Sequence, residues 1–282
     1  MDAKRHNSMG APPATPGKEG YFSQHGEDFL LETLFDSQEQ GFFVEIGCID
    51  GLRFSNSLRF ELNGWKGLCV EAHADYIEPL RRNRPNSIVE HAAVGEKDAE
   101  EVTFYANSRG SLSTLDKGKE SEFERYGEYF TGFETQKVPM LTLNTIFRKR
   151  SIHAIDFLSL DIEGYEVQAL RGIDFSEFRP TRLVIESDSR EHADQIEAVL
   201  KPAGYVFVTS LGPNLFYSLI QRDRKIIHRK VFRNVPITHT RHPLDNTTDK
   251  TVNVDIATGK GPHRRGPARR LFEIFKGGRG AS

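Results

Sequence analysis

The chain has 282 residues, 37% hydrophobic and 28% charged, which allows one large domain or two small ones with a sizeable core. A net charge of -2 gives no overall drive toward nucleic acid or anionic membrane, and no apolar run approaches the ~20 residues that cross a bilayer, so neither partner is expected. Cys48 and Cys69, the two cysteines, lie inside apparent core strands, which argues against a disulfide framework and for a reducing compartment. The N-terminus has no apolar h-region, so a cytoplasmic protein is expected.

Residues 1–20 are rich in Pro, Gly and Ala and read as a flexible arm. Apolar side chains at Phe29, Leu30, Leu31, Leu34 and Phe35 predict a helix over 26–35. A buried strand is predicted over 42–46, a helix over 53–63 stopped by Gly64, a second strand over 67–71, a helix over 74–83 and a third strand over 87–94. An extra strand is a candidate at 101–106. The stretch 108–135 combines Ser, Gly and charge with Phe123, Tyr126, Tyr129, Phe130 and Phe133, and reads as a partly helical insertion of the kind used for lids and binding loops. The regular pattern resumes with a helix over 141–150, a strand over 155–161, a helix over 164–172 and a strand over 182–186. A helix over 188–200 follows, with Asp188 as N-cap and Gly204 beyond its end. Runs at 205–210 and 215–220 are joined by four residues, too few for a parallel crossover, so these two strands are antiparallel. The segment 231–238 is a candidate edge strand. Past Thr258 the chain is basic, and reads either as an arm for anionic partners or as a solvated, disordered tail. The expected organisation is an arm (1–20), one domain (21–222) and a C-terminal extension (223–282), disordered in part from 258. Alternating strands and helices imply an α/β fold with a mostly parallel, doubly wound sheet covered on both faces and closed by the antiparallel hairpin.

The chemistry concentrates at strand ends. Glu45-x-Gly47-x-x-Asp50-Gly51 closes the first strand, and its glycines let the backbone turn where a side chain would block a ligand. The pattern is not G-x-G-x-x-G, and an acid at Glu45 would repel a phosphate; it suits an amine and a sulfonium, the charges of S-adenosylmethionine. The plain alternative is a tight strand-to-helix turn. Glu71 ends the next strand about two dozen residues later, where an acid binds ribose hydroxyls in such folds. Asp161 and Glu163, in the run Asp161-Ile162-Glu163-Gly164-Tyr165-Glu166, follow the fourth core strand, and Glu186 ends the fifth. Ligands sit outside the carboxyl ends of parallel strands, so these acids are candidate general bases or acceptor-orienting groups. A divalent metal is an alternative for them, though no histidine is close by in sequence, and Glu163 and Glu166 also read as helix N-terminal acids. His25 and His91 are weaker candidates, since a lone histidine is more often packed or on the surface. A nicotinamide-dependent oxidoreductase is one rival, opposed by Glu45 and by the hairpin. A binding module without catalysis is the other.

These residues together resemble the FkbM family of S-adenosylmethionine-dependent methyltransferases. Ser23-Gln24-His25-Gly26-Glu27-Asp28 is similar to the family's S-Q-x-G-E-D opening, and the run from Phe43 to Gly51 with Ser55-Asn56 to its first cofactor motif. Trp65-Lys66-Gly67 before Glu71, His91 to Val94, the run from Ile155 to Glu166 and Asn214-Leu215-Phe216-Tyr217 are similar to later family segments. The likeness spans residues 21–220. Glu45 stands for the more usual Asp, Cys48 for Ala and His91 for Asn. The resemblance implies a Rossmann-like class I methyltransferase fold. It also implies methyl transfer to a hydroxyl of a small molecule, sugar or natural product, or in some relatives to a peptide nitrogen. It implies that Gln24 closes over the cofactor, that Glu45, Gly47 and Asn56 hold its methionine end, that Glu71 holds the ribose, and that His91 and Ala93 lie on the adenine side. Asp50, Gly51 and Asp161 complete the expected cofactor contacts. Asp161, Glu163 and Glu186 are the expected catalytic acids, and no metal is expected.

Overall fold

The computed structural model describes residues 20–35, 38–229, 235–239 and 250–254. In chain order these form α1 (Glu27–Phe35), β1 (Phe42–Ile46), α2 (Leu58–Leu62), β2 (Lys66–Glu71), α3 (Ala74–Asn83), β3 (Ser87–His91), β4 (Ala93–Val94) and β5 (Ala99–Asn107). Then come α4 (Glu120–Phe123), β6 (Phe133–Leu141), α5 (Leu143–Lys149), β7 (Phe157–Leu160), α6 (Glu166–Arg171), β8 (Arg182–Glu186), α7 (Arg190–Leu200), β9 (Val206–Leu211), β10 (Asn214–Ser218), α8 (Gln221–Arg229), β11 (Val235–His239) and β12 (Lys250–Val254).

Seven strands make the main sheet in the order β3-β2-β1-β7-β8-β10-β9. The first five are parallel, and β10 runs antiparallel to both neighbours. Side-chain alternation sends Val44, Ile46, Leu158, Leu160, Leu183 and Ile185 to one face, where α5, α6 and α7 cover them. Phe43, Phe157 and Val184 point to the other face, against Leu30, Leu31 and Leu34 of α1, Leu80 of α3 and Ile227 of α8. Burial on both faces explains why β1, β7 and β8 read as near-continuous apolar runs rather than alternating ones. On the α1 side, Phe35, Phe60, Trp65, Phe43 and Phe157 form one aromatic slab, with Phe60 and Phe157 centroids 4.8 Å apart. Phe43 lies flat over Gly67 of the paired strand, where any Cβ would fall 2.1 Å from the ring.

Several elements depart from the sequence expectation. The predicted third strand breaks after His91: Ala93 and Val94 leave the main sheet to pair with β6 in a three-stranded side sheet ordered β4-β6-β5. The Ala93 side chain consequently packs with Phe104, Ala106 and Val138. Strand β6 was not anticipated, because charged and polar residues alternate along it on a solvated face. Only five residues of the expected 53–63 helix are helical, since Phe54 sits at φ 56°. Helix α7 is capped by Ser189, which accepts from the His192 amide, and not by Asp188. The described part of the expected edge strand, β11, pairs with β12 in a separate two-stranded ribbon. Residues 1–19 and the basic stretch from 258 lie outside the described residues. No helix among the described residues is long and apolar enough to cross a membrane.

Candidate active site

The strands β1, β2, β7 and β8 end on the same edge of the sheet, and the loops leaving them build the site. Gly47, at φ +87°, turns the chain off β1; a Cβ there would fall 1.8 Å from the carbonyl oxygen of Asp161. That close approach of the β1 and β7 ends admits only glycine. The loop then folds back through Ile49, a β-branched residue at φ 50°, whose amide donates to Glu71 Oε2 at 2.7 Å.

Glu45 is turned under this loop. Its carboxylate accepts from the Ser55 and Ser57 hydroxyls, from the Asn56 amide at 2.6 Å and from Arg84 at 3.3 Å. The Arg84 guanidinium is fully buried between Glu45 and Glu61, and also donates to Gly51 O, Ser55 and Ser57. Glu45 therefore organises the loop, with both carboxylate oxygens accepting from the chain's own donors. Asp50 is likewise turned inward, accepting from the Leu52 and Arg53 amides. Gly51 is required by packing: a Cβ would lie 2.5 Å from Arg84 Cγ. Asn56 is buried and donates to Ser159 Oγ of β7 at 2.8 Å, tying the loop to the neighbouring strand.

Glu71 ends β2 with each oxygen accepting one backbone amide, Ile49 and His73, both at 2.7 Å. Burial pushes its carboxyl up to about 7, against the lowering effect of those amides. His91, half-buried at the end of β3, lies 3.1 Å from Ala72 O through Nε2. The N-terminal segment reaches the same edge: Ser23 bridges Phe54, and Asn214 of β10 donates to Glu27 at 2.6 Å. Gln24, between them, is half-buried and makes no hydrogen bond among the described residues. The His25 ring packs on Gly212 in the β9–β10 turn.

Asp161, Glu163 and Glu186 converge from the β7 and β8 ends, with carboxylate oxygens within 4.8 Å of one another. The Asp161 and Glu186 carboxyls face each other, an arrangement favoured when one of them carries a proton. Burial, reinforced by Glu166, pushes Asp161 up to about 7. Burial and then the Asp161 charge push Glu163 to about 8, and burial and the same charge drive Glu186 well above the carboxylate range. Glu163 is a non-glycine at φ 55°. Its turn is held by the buried Glu166, whose Oε1 accepts from the Ile162 and Gly164 amides at 2.9 and 3.2 Å. Among the described residues, none of Glu71, Asp161, Glu163 and Glu186 makes an ion pair.

Two contributors had no signal in the sequence. Arg84 lies past the end of α3 with nothing local to mark it. Lys119, in the insertion, pairs with Asp188 beyond β8 and lays its stem over Gly164.

A parallel sheet in this strand order, with its one reversed strand and acids at the β1, β2, β7 and β8 ends, defines a class I methyltransferase. Residues 45–207 match the family model described as the methyltransferase FkbM domain, and the chain belongs to that family. It is an S-adenosylmethionine-dependent methyltransferase, which removes the oxidoreductase reading. No curated protein matched the sequence. Among solved structures, a precorrin-6y C5,15-methyltransferase from Geobacter metallireducens is 12% identical, covers 72% of this chain and 90% of its own, and has a TM-score of 0.37. A ribosomal protein L11 methylase from Lactobacillus delbrueckii subsp. bulgaricus is 7% identical, with coverages of 70% and 79% and a TM-score of 0.39. Fibrillarin from Aeropyrum pernix, solved with natively bound S-adenosyl-L-methionine, is 10% identical, with coverages of 63% and 66% and a TM-score of 0.32.

The donor set fits this cofactor. Its sulfonium and ammonium charges suit an edge where Asp161, Glu163 and Glu186 have no cation paired to them among the described residues, and its ribose hydroxyls suit a buried Glu71 that still has acceptor capacity.

Proposed function

We propose that the protein methylates a hydroxyl of a neutral small molecule, a sugar or another natural product. The observation carrying this reading is the convergence of Asp161, Glu163 and Glu186 outside β7 and β8, a set of carboxyls without matched cations. An alcohol gives up its proton as it is methylated, and a carboxylate raised toward neutrality accepts it more readily than an ordinary one. The same three acids disfavour a phosphorylated or otherwise anionic acceptor by like-charge repulsion. The bound cofactor supplies an electrophilic methyl group. The chain's own residues do the rest: Glu71 takes the ribose, Gly47 and Asn56 shape the methionine end, Gln24 and His91 border the cofactor, and Glu163 or Asp161 receives the proton. Holding donor and acceptor in line can supply roughly 7–11 kcal/mol of the barrier. The free Cys48 and Cys69 thiols support a reducing, cytoplasmic setting.

The test has two stages. Calorimetric titration of S-adenosylmethionine and S-adenosylhomocysteine should show micromolar binding that Glu71→Ala weakens at least tenfold. Turnover, scored at saturating S-adenosylmethionine as S-adenosylhomocysteine released with a panel of neutral sugars and polyols, should then fall at least a hundredfold in Glu163→Gln or Asp161→Asn. Full turnover in both variants would refute the carboxylate-base reading, and turnover confined to amide or anionic acceptors would refute the acceptor class.

A further inference from the structure

The insertion does more than join β5 to β6. Its first dozen residues, 108–119, cross the carboxyl ends of the sheet and touch each loop there. Tyr76 Oη donates to Ser108 O at 3.1 Å, and Arg53 Nη1 donates to Arg109 O at 3.0 Å. Gly110 lies against Ile49, where a Cβ would be 2.7 Å from Ile49 Cγ2. The Leu112 amide donates to Glu163 Oε1 at 3.1 Å, and Thr114 Oγ1 donates to the Glu163 carbonyl at 3.0 Å. Beyond them Lys119, only 15% exposed, pairs with Asp188 and Glu122, and its stem covers Gly164, where a Cβ would be 2.7 Å from Lys119 Cε.

Both partners of the central contact are strained. Leu112 is at φ 59° and Glu163 at φ 55°, the left-handed region that favours glycine. Such conformations persist only where the surroundings over-determine them, and they cluster where geometry serves function. Here the surroundings are Glu166 on one side and the 108–119 segment on the other. Of the segment's two lysines, Lys117 is exposed and Lys119 is the one held against Gly164 and Asp188.

We propose that Lys119 is a positioning residue for methyl transfer: by clamping the 108–119 segment onto Asp188 and Gly164, it keeps the Leu112 amide on Glu163 and so directs that carboxyl toward the acceptor. The inference rests on the reading of Glu163 as an acceptor-side acid. Glu163 faces Asp161, Glu186, Glu166, Tyr126 and Lys119, and of these only Lys119 favours its charged form. Removing the lysine loses that attraction and loosens the Leu112 hydrogen bond, and both changes make Glu163 hold its proton to higher pH.

The experiment is a carboxyl-carbon NMR titration of the full chain labelled at glutamate, with Glu163 assigned by its loss in Glu163→Gln. In Lys119→Met the Glu163 midpoint should rise by at least half a unit, about threefold in proton affinity, while thermal stability stays close to wild type. Lys119→Arg should restore it. Thr114→Val, which breaks the neighbouring contact and keeps the lysine, should move it in the same direction and serves if Lys119→Met fails to fold. An unmoved midpoint in a folded variant would overturn the proposal. Turnover on the polyol panel separates this failure from that of the functional reading, because full turnover in both Glu163→Gln and Asp161→Asn refutes the latter whatever Lys119 does.

Discussion

At the scale of single residues, the site is governed by where charge is matched and where it is left unmatched. Arg84 is matched: two buried carboxylates, Glu45 and Glu61, share one buried guanidinium. Removing it strands both acids in the interior. Arg84→Met should cost about 3–5 kcal/mol, since breaking a buried pair from one side leaves uncompensated charge; chemical denaturation measures it, and a loss near 1 kcal/mol would mean that water or relaxation rescues the pair. Asp161, Glu163 and Glu186 are unmatched, and burial with mutual repulsion raises all three. A group that accepts the acceptor's proton must be charged first. Turnover should therefore climb with pH through the range of about 7 to 8 set by Asp161 and Glu163, and level off above it. A profile already flat from pH 5.5 would exclude both as the base.

At the scale of elements, the informative cases are those where local rules compete. Asp188 and Ser189 both suit the start of α7. Ser189 takes the cap, and Asp188 is drawn away to Lys119 and His192, which hold its carboxyl well below the usual range. Ser189→Ala should lower stability by about 1 kcal/mol, the usual worth of an N-cap. Asp188→Ala should leave the helix end intact, and amide exchange along α7 distinguishes the two. The turn after β1 shows local rules agreeing: Gly47 is legible as a turn glycine, and its backbone contact with Asp161 O is what makes any other residue untenable. The β5–β6 region was only half legible. Its aromatics marked 108–135 as unusual, and there Phe123, Phe130 and Phe133 pack edge to face on one another, Phe123 buried and the other two half-buried.

At the scale of the whole molecule, the raised acids have a thermodynamic signature. Asp28, Glu71 and Asp161 are pushed to about 7 and Glu163 to about 8, well above their unfolded values. Between roughly pH 4.5 and 8 the folded chain holds protons that the unfolded chain has released, so this contribution is complete below the unfolded values and is lost as pH rises through 7 to 8. The cofactor-free protein should melt higher at pH 6 than at pH 8 at fixed ionic strength. A higher melting temperature at pH 8 would show that the acids are charged in the fold at little cost. S-adenosylmethionine, binding only the folded state, should narrow the difference.

The residues alone determined the alternation of strands and helices in the main sheet, the antiparallel closure at β9 and β10, and the acids that end β1, β2, β7 and β8. Each of these is written in residues a few positions apart, through apolar periodicity, turn glycines and a connection too short to cross over. Tertiary structure alone decided what those acids do. Glu45 is paired with Arg84, 39 residues away. Ala93 left the main sheet because β6, some forty residues on, offered it a partner. Glu163 acquired its hydrogen bond from Leu112, 51 residues earlier, and Lys119 its anion at Asp188, 69 residues later. Periodicity registers which face a side chain takes, but a charge finds its partner only when the sheet has brought distant loops to one edge. The identity of the acids was therefore readable in advance, and their division into those paired with a buried cation and those left unpaired among the described residues was not.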